Sequence, residues 1–370
     1  MLIYIESVTQ DDVFDEKNFV AIENILRAFA EKKHIILAPK TFFNDIINEK
    51  QGLYSISTKN FAAEALAGLR EYHAIKNIVS FYVSIDFSIK DESYSWVDLG
   101  GKDKFVCGPL FFNDSECLQR TNVVCENPLD SDFMKIIADY YARRESLSRC
   151  TISYNVLHGG GGSTKDVFDR TVNDNKITFC VVDNDKDHPR APYGGTSTHF
   201  LRERTSKTGM VKILDVHEIE SLLPLETIEH VLEEENLLEK KKGALRFLKD
   251  LCNIDETVKF YYDHKKGFNL KDAWKLDNTH GEYWRRIIGK LGDAYKCDCL
   301  SSRVCTCKPS CLTYDGFGEG LLNNTIRYVN RGSLRQYNPM LTPELSEKWN
   351  DLGRNFFSWS CGPYKKSRVS

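Results

Sequence analysis

The sequence predicts an α/β protein with a parallel sheet at its centre. Segments with helical spacing of apolar residues alternate with short apolar runs along the first 145 residues. Residues 150–185 then read strand, glycine loop, helix and strand, and a further apolar run occupies 211–216. Right-handed crossovers bring the C-terminal ends of parallel strands to one edge of a sheet, where open α/β sheets bind ligands. This order therefore predicts a ligand site at that edge.

The individual elements follow from the spacing of the apolar residues. In the first region we predict helices at NFVAIENILRAFAEKK, KTFFNDIINEK, NFAAEALAGLREYHAI and DFMKIIADYYARRESL, and strands at HIILAP and NIVSFYVSIDFSI. The passage from 90 to 132 mixes loops with short strand-like runs. In the middle region we predict strands at CTISYNVLH, KITFCVVDND and VKILDV, and a helix at TKDVFDRTVND.

Length and composition divide and classify the chain. We predict an N-terminal α/β domain of unknown role (1–145), a parallel-sheet core (146–235) and a helical C-terminal region with a cysteine-rich module (236–370). The net charge of −3 excludes a global positive field for nucleic acid, so any such partner must be held by a local patch. No apolar stretch approaches the ~20 residues of a membrane helix, and no secretion signal is visible, so we expect a cytoplasmic protein without a membrane partner.

Acidic residues follow two of the predicted strands. Asp183, Asp185 and Asp187 come after one apolar run, and Glu218 and Glu220 come after the next. Carboxylates crowded at one sheet edge repel each other unless a cation neutralises them, and such oxygen ligands suit Mg²⁺ or Mn²⁺. The pattern thus predicts metal-assisted phosphodiester chemistry. The alternatives are a solvated turn for the aspartates and a helix start for the glutamates.

The Asp-x-Asp strand end and the later EIESLLP segment together resemble a known family. They are similar to the TOPRIM-like metal-dependent nucleases of the overcoming-lysogenization-defect group and related antiphage-defence proteins. The resemblance implies a TOPRIM-like core in which Asp183, Asp185 and Glu220 are catalytic, with Glu218 as the alternative or additional acid that binds the metal. It also implies a DNA or RNA substrate and an ATPase subunit of a defence system as partner.

The chain departs from this family at the first strand of the core. The family has a glutamate followed by glycine there, whereas this chain reads LHGGGGST. Either Asp166 or Asp169 on the next helix supplies the missing acid, or the domain is a catalytically silent binding or sensor subunit. A haloacid-dehalogenase-like phosphatase is a third reading of the Asp-x-Asp pair, but Lys186 and Asp187 follow the pair where threonine or valine is usual.

The glycine loop is a second candidate site. Its backbone could cradle a phosphate at a helix N-terminus, although the Gly-Lys-Ser/Thr order of a Walker loop is absent. His158, which precedes the loop, is a candidate general base or substrate contact, with a structural histidine as the alternative. The predicted substrate-binding residues of the loop are Gly160, Gly161, Ser163 and Thr164.

The C-terminal region contributes basic residues and thiols. Lys265 and Lys266 lie among aromatic residues in YYDHKKGFNLKDAWK, which predicts phosphate contacts or a solvated surface helix. Five cysteines fall within fifteen residues, more than the four thiolates of a structural zinc site. Their Cys-x-Cys spacing differs from the usual Cys-x2-Cys knuckle, so free thiols remain the alternative. The five candidate zinc ligands are Cys297, Cys299, Cys305, Cys307 and Cys311.

Overall fold

The computed structural model describes residues 1–202, 204–302, 304–332 and 337–364. Helices and strands alternate along the chain, and both larger sheets contain parallel strand pairs, which confirms the α/β class. The TOPRIM-like nature of the core stays a prediction. None of the helices within the described ranges combines the length and the apolar composition that crossing a bilayer requires.

The first half of the chain holds most of the strands. Its elements are β1 (Leu2–Ser7), α1 (Gln10–Phe14), α2 (Phe19–Ala30), β2 (Ile35–Leu37), α3 (Lys40–Asn48), α4 (Ile56–Tyr72), α5 (Ile75–Ile78), β3 (Phe81–Asp86), β4 (Tyr94–Asp98), β5 (Asp103–Cys107), β6 (Asn122–Cys125), α6 (Pro128–Arg144), β7 (Cys150–Ile152), β8 (Asn155–His158), α7 (Thr164–Asn173) and β9 (Thr178–Val182).

The second half is mostly helical. Its elements are α8 (Gly195–Thr198), β10 (Thr205–Ser206), β11 (Gly209–Ile213), α9 (Leu225–Glu234), α10 (Leu238–Ile254), β12 (Gly267–Asn269), α11 (Leu270–His280), α12 (Trp284–Ile288), β13 (Thr313–Asp315), α13 (Leu321–Arg331), α14 (Pro343–Ser360) and β14 (Cys361–Pro363). The predicted helices and strands of the first two regions coincide with elements of the structure, apart from the differences described below.

The contacts divide the chain into two compact units. Unit 1 contains the described residues of 1–180, 203–211 and 350–370, and unit 2 contains those of 181–202 and 212–349. The division into three sequence regions stays a prediction. Of the predicted site residues, His158, the glycine loop and the alternative acids Asp166 and Asp169 fall in unit 1, whereas the other candidates fall in unit 2.

Unit 1 is organised by two five-stranded sheets. The first has the order β2-β1-β3-β5-β4, with β4 antiparallel to its neighbour and the other pairs parallel. The second has the order β10-β11-β9-β6-β8. Trp359 of α14 is fully buried, and its ring stacks on Phe81 at 3.7 Å and on Phe179 at 5.2 Å between centroids. These stacked rings join both sheets into one apolar core.

Two features of the second sheet differ from the sequence prediction. The segment CTISYNVLH is not one strand: β7 pairs antiparallel with β14, whereas β8 pairs parallel with β6. Strand β6, which comes from the turn-rich passage, is buried at all four positions and lies between β8 and β9. The glycine loop after β8 and the aspartates after β9 therefore do not follow adjacent strands, because β6, which precedes both strands in the chain, occupies the place between them.

Unit 2 is built from helices around a small two-stranded sheet. Strands β12 and β13 pair antiparallel, and Phe268 of β12 contacts Phe247 of α10 and Trp284 of α12 at centroid distances of 5.1 and 5.5 Å. A short 3₁₀ turn, Ile219–Leu222, follows the acidic residue Glu218. Glu218 is the residue immediately before this turn, and Glu220 lies within it. The local conformation of the two glutamates is therefore that of a helix start, which was the alternative for them.

Candidate functional site

Within unit 2, the two acidic segments run side by side beyond the strand ends. Leu214 N donates to Val182 O at 2.9 Å, and Asp185 N donates to His217 O at 3.0 Å. The bonded positions advance together along both segments, so the segments are parallel. The chain that carries Asp183 and Asp185 therefore lies beside the chain that leads into Glu218, as the sequence pattern predicts.

The Asp-x-Asp motif itself forms a tight turn. Asp185 is exposed and has a φ of 54°, a left-handed conformation that aspartate tolerates better than most residues. Lys186 N donates to the side chain of Asn184 at 2.8 Å, and Gly194 N donates to the Asn184 carbonyl at 3.0 Å. A Cβ on Gly194 would lie 2.0 Å from Asp185 Oδ2. Glycine is required there because the aspartate side chain packs directly against it.

Glu218 and Glu220 share one cation from the protein. Lys265 Nζ lies 3.1 Å from Glu218 Oε2 and 3.1 Å from Glu220 Oε2, and both carboxylates are almost fully buried. Burial and the neighbouring Glu220 raise the pKa of Glu218 to about 8. Burial also raises the pKa of Glu220, and Lys265 opposes this shift. Lys265 is therefore the counter-ion of both glutamates here, and its predicted phosphate contact stays a prediction.

A mixed group of possible metal ligands surrounds the other side of Glu218. One ligand atom from each of His217, Glu218 and Asp263 lies within 4.8 Å of the others. His264 N holds Glu218 Oε1 at 2.7 Å, and Lys266 N holds Asp263 Oδ1 at 2.7 Å. His217 Nδ1 is buried without a hydrogen-bond partner in the described part of the chain. Imidazole and carboxylate together suit Mn²⁺ or Zn²⁺, whereas Mg²⁺ prefers oxygen ligands alone.

His217 and Asp263 are two residues of the site that the sequence pattern did not predict. His217 directly precedes Glu218 in DVHEIES, so the adjacency of imidazole and carboxylate was a usable signal. Asp263 lies 45 positions further on, and the hydrogen bond from the next residue, His264 N, to Glu218 brings it to the site. Glu220 is held by Lys265, and its contact with an ion stays a prediction, as do those of Asp183 and Asp185.

A cleft of about 400 Å³ opens beside this group. Asp187 and Asp263 are both part of its lining, so the segment that follows β9 and the segment that carries Asp263 meet at one concavity. Tyr261 and Tyr314 are half-buried aromatic residues of the wall, and the side chain of Lys266 is 86% exposed at the rim. A concave surface with aromatic walls and a few charged groups is typical of small-ligand and single-nucleotide sites.

The glycine loop of unit 1 is compact, and its Ser163 does not act as a side-chain cap. Gly160 and Gly161 have φ values of 68° and 63°, which glycine adopts without strain. Thr164 is buried and donates to Gly161 O at 2.7 Å, while Ser163 makes no capping bond to the helix that follows. His158 is exposed at the end of β8. Their predicted substrate contacts stay predictions.

The alternative acids on α7 differ in their surroundings. Asp169 forms an ion pair with Lys165 one turn earlier on the same helix, whereas Asp166 is exposed. An aspartate paired along its own helix face is typical of a solvated surface. The structure therefore provides no specific support for either aspartate as the acid that the first strand lacks.

The cysteine cluster has the geometry of a four-thiolate site. All twelve cysteines lie in the described ranges, and none forms a disulfide. The Sγ atoms of Cys299 and Cys307 are 3.6 Å apart, and those of Cys305 and Cys311 are 3.5 Å apart. Tetrahedral zinc with bonds of about 2.3 Å requires sulfur separations of about 3.8 Å. These four cysteines could therefore hold a structural metal, and Cys297 is outside the group.

One thiol of the cluster ionises unusually easily. Hydrogen bonds from the backbone of Cys311, and further bonds from Ser310 and Cys307, lower the pKa of Cys305 to about 6. A thiolate is the form that binds metal, so this environment favours binding near neutral pH.

The chain shows no significant match to any protein-family model, curated protein or solved structure.

Proposed function

We propose that the protein is a metal-dependent nuclease that hydrolyses phosphodiester bonds of DNA or RNA. The observation that carries this proposal is the meeting of His217, Glu218 and Asp263 beside the Asp183–Asp185 turn, with Asp263 also lining a cleft. A divalent ion held there would supply Lewis-acid polarisation of a phosphodiester oxygen. The choice of a defence role, with an ATPase subunit as partner, rests on the resemblance to antiphage nucleases alone.

The protein's own residues have separate tasks in this proposal. His264 N and Lys265 Nζ each bind one oxygen of Glu218, so its carboxylate cannot rotate away from the site. Lys265 also neutralises Glu220, which limits the repulsion between the two buried acids. Lys266 is exposed at the rim of the cleft, where an ammonium group would attract a phosphate backbone. Tyr261 and Tyr314 offer ring surfaces for an unstacked base.

We also propose that Cys299, Cys305, Cys307 and Cys311 bind one structural Zn²⁺. The support is the pairwise sulfur spacing, which needs an expansion of only a few tenths of an ångström to reach tetrahedral zinc geometry.

A cleavage assay with matched variants tests the nuclease proposal. The parent, D183N, E218Q and D263N are incubated with single- and double-stranded DNA, RNA and tRNA in Mg²⁺, Mn²⁺ or Zn²⁺. We expect cleavage by the parent and a loss of at least a hundredfold in each variant, because a ligand of the ion is neutralised. Asp293, an acid that is 88% exposed and paired with Lys296, provides the control variant D293N, which should keep parental activity.

A catalytically silent binding or sensor subunit is the second candidate. It is favoured by the position of Lys265, whose ammonium already neutralises Glu218 and Glu220 without any ion. The absence of a glutamate before the glycine loop also favours it. This function predicts that the parent binds nucleic acid but cleaves none of the substrates in any of the three ions. Cleavage that persists unchanged in E218Q and D263N would contradict the site assignment without excluding nuclease activity elsewhere.

A further inference from the structure

The segment that follows the cysteine cluster runs along the segment that carries the candidate site. Directly after Cys311, residues 312–318 pair with residues 264–270 over their whole length. The antiparallel pairs are Gly267 with Asp315, Phe268 with Tyr314 and Asn269 with Thr313. Further backbone bonds extend the pairing at both ends: Leu270 N to Leu312 O (2.9 Å), Gly316 N to Lys266 O (2.8 Å), Phe317 N to His264 O (2.7 Å) and Gly318 N to Lys265 O (3.2 Å).

Two glycines bring these segments unusually close together. A Cβ on Gly316 would lie 2.3 Å from Lys265 O, and a Cβ on Gly267 would lie 2.0 Å from Tyr314 O. Real Cβ atoms essentially never approach backbone atoms this closely, so any side chain at either position would force the segments apart. The carbonyl of Lys265, whose ammonium binds Glu218, is thus in tight contact with the segment that begins at Cys311.

The cysteine cluster is attached to the site segment at a second point. Trp274 in α11 is fully buried, and its Nε1 donates to Cys299 O at 3.1 Å. Helix α11 begins at Leu270, immediately after β12. The first and last of the four cysteines are therefore each connected to the continuous stretch that runs from Asp263 through α11.

The chain between these attachment points has little apolar surface to bury. Of its aliphatic side chains, Val304 is 56% exposed, Leu300 is half-buried, and Leu312, where the pairing with residues 264–270 begins, is buried. A loop of this composition cannot order itself by hydrophobic burial, and metal binding is the usual substitute in small cysteine modules.

We infer that metal binding by the four cysteines positions the segment of Asp263 to Leu270, so that the thiolate site and the divalent-ion site are coupled. This inference rests on the two metal sites of the proposed function. A metal on the four cysteines orders the loop that carries them, which holds residues 312–318 against the carbonyls of His264, Lys265 and Lys266. Loss of that metal releases the pairing and lets Asp263 move away from His217 and Glu218. Coupling between binding sites is reciprocal, and factors of about 5–150 in affinity are usual.

The test compares variants that act at different points of this connection. The C305S/C307S double variant removes two thiolates, and G316A separates the paired segments without changing a cysteine. Gly320 lies four residues further along, and a Cβ there would have only the Asn324 side chain within 4 Å, at 3.8 Å. G320A is therefore the matched control. The measurements are zinc content, amide hydrogen exchange of peptides within 263–270, and Mn²⁺ affinity from electron paramagnetic resonance.

We expect C305S/C307S to lose zinc, to exchange at least tenfold faster over 263–270 and to bind Mn²⁺ at least tenfold more weakly. G316A should keep zinc and show the same two changes, and G320A should resemble the parent. A folded C305S/C307S protein with parental exchange would overturn the inference. If that variant fails to fold, G316A decides: parental exchange and parental Mn²⁺ affinity in G316A would overturn it as well.

The two readouts separate this inference from the proposed function. If the parent binds no Mn²⁺ but exchange over 263–270 still responds to the variants, the nuclease site is wrong and the positioning by the cysteine metal stands. If the parent binds Mn²⁺ with an affinity that none of the variants changes, the divalent-ion site stands and the coupling is wrong.

Discussion

Replacing Lys265 by methionine removes the only described cation that bridges Glu218 and Glu220, while it keeps a side chain of similar length. The parent holds both carboxylates at 3.1 Å from the ammonium, and their side chains are 7% and 3% exposed. In K265M neither acid can reach water easily, so the folded state must keep them protonated. We therefore expect K265M to be destabilised near pH 7 and much less so near pH 5.

The size of the effect follows from the cost of protonating a glutamate. An ordinary glutamate titrates near 4.3, so neutralising it at pH 7 costs about 3.7 kcal/mol, and at pH 5 about 1 kcal/mol. The pKa of Glu218 is already about 8 in the parent, so the new cost falls mainly on Glu220. Breaking a buried ion pair from one side typically costs about 3–5 kcal/mol. Both values give a loss of about 3–4 kcal/mol for K265M near pH 7.

The sign of the pH dependence is fixed by the direction of the shift. A glutamate whose pKa is raised in the folded state lowers the free energy of unfolding only above its pKa in the unfolded state. The loss of stability is therefore absent below about pH 4.3 and grows as the pH rises. Urea unfolding of parent and K265M near pH 5 and pH 7, without added divalent ions, measures it. The neighbouring Lys266 forms an exposed pair with Asp263, so K266M should change stability by less than about 1 kcal/mol.

Two results would refute this reasoning. One is a K265M protein whose free energy of unfolding near pH 7 lies within about 0.5 kcal/mol of the parent. The other is an equal loss at both pH values, because a loss of packing alone does not titrate. The double variant K265M/E220Q gives an independent check: removing the uncompensated charge should restore part of the stability near pH 7.

Three further predictions concern other parts of the molecule. Purified protein should contain about one equivalent of zinc by elemental analysis, and five freely titratable thiols with no zinc would contradict this. The buried Asp277 accepts hydrogen bonds from the backbone N–H groups of Tyr283, Trp284 and Arg285. We therefore expect D277A to lower the free energy of unfolding by about 2–4 kcal/mol. A loss below about 1 kcal/mol would show that water replaces these bonds. Trp359 is fully buried in unit 1, and W359A should cost about 3–5 kcal/mol in urea unfolding; near-parental stability would mean that the core refills the cavity.

The regular elements were predictable because their apolar residues repeat at the period of the element. Helix α2 buries Ile22, Ile25, Leu26 and Phe29, which lie on one helical face, and β9 is buried at every position. Strand β6 was harder to predict because three apolar residues in a turn-rich passage are too short a signal to separate a strand from a loop. The split of CTISYNVLH was also hidden, since β7 pairs with β14 from the far end of the chain.

The candidate site shows the same division between local and distant information. The sequence predicts that acids follow two strands, namely Asp183, Asp185, Glu218 and Glu220. The backbone hydrogen bonds between the two segments agree with this prediction. The participation of Asp263 was not readable, because it depends on a contact across 45 residues of intervening sequence.

The amino-acid pattern was sufficient to identify the α/β class, the strand ends that carry acids and a run of five cysteines, of which the structure brings four together. Each of these depends on residues close together in the chain, where spacing maps directly onto geometry. The three-dimensional fold was needed to establish that Lys265 neutralises Glu218 and Glu220, and that residues 312–318 bind the segment carrying Asp263. Those pairings arise from packing between elements far apart in sequence, and the burial that makes Lys265 a counter-ion is a property of the assembled unit, not of its local sequence.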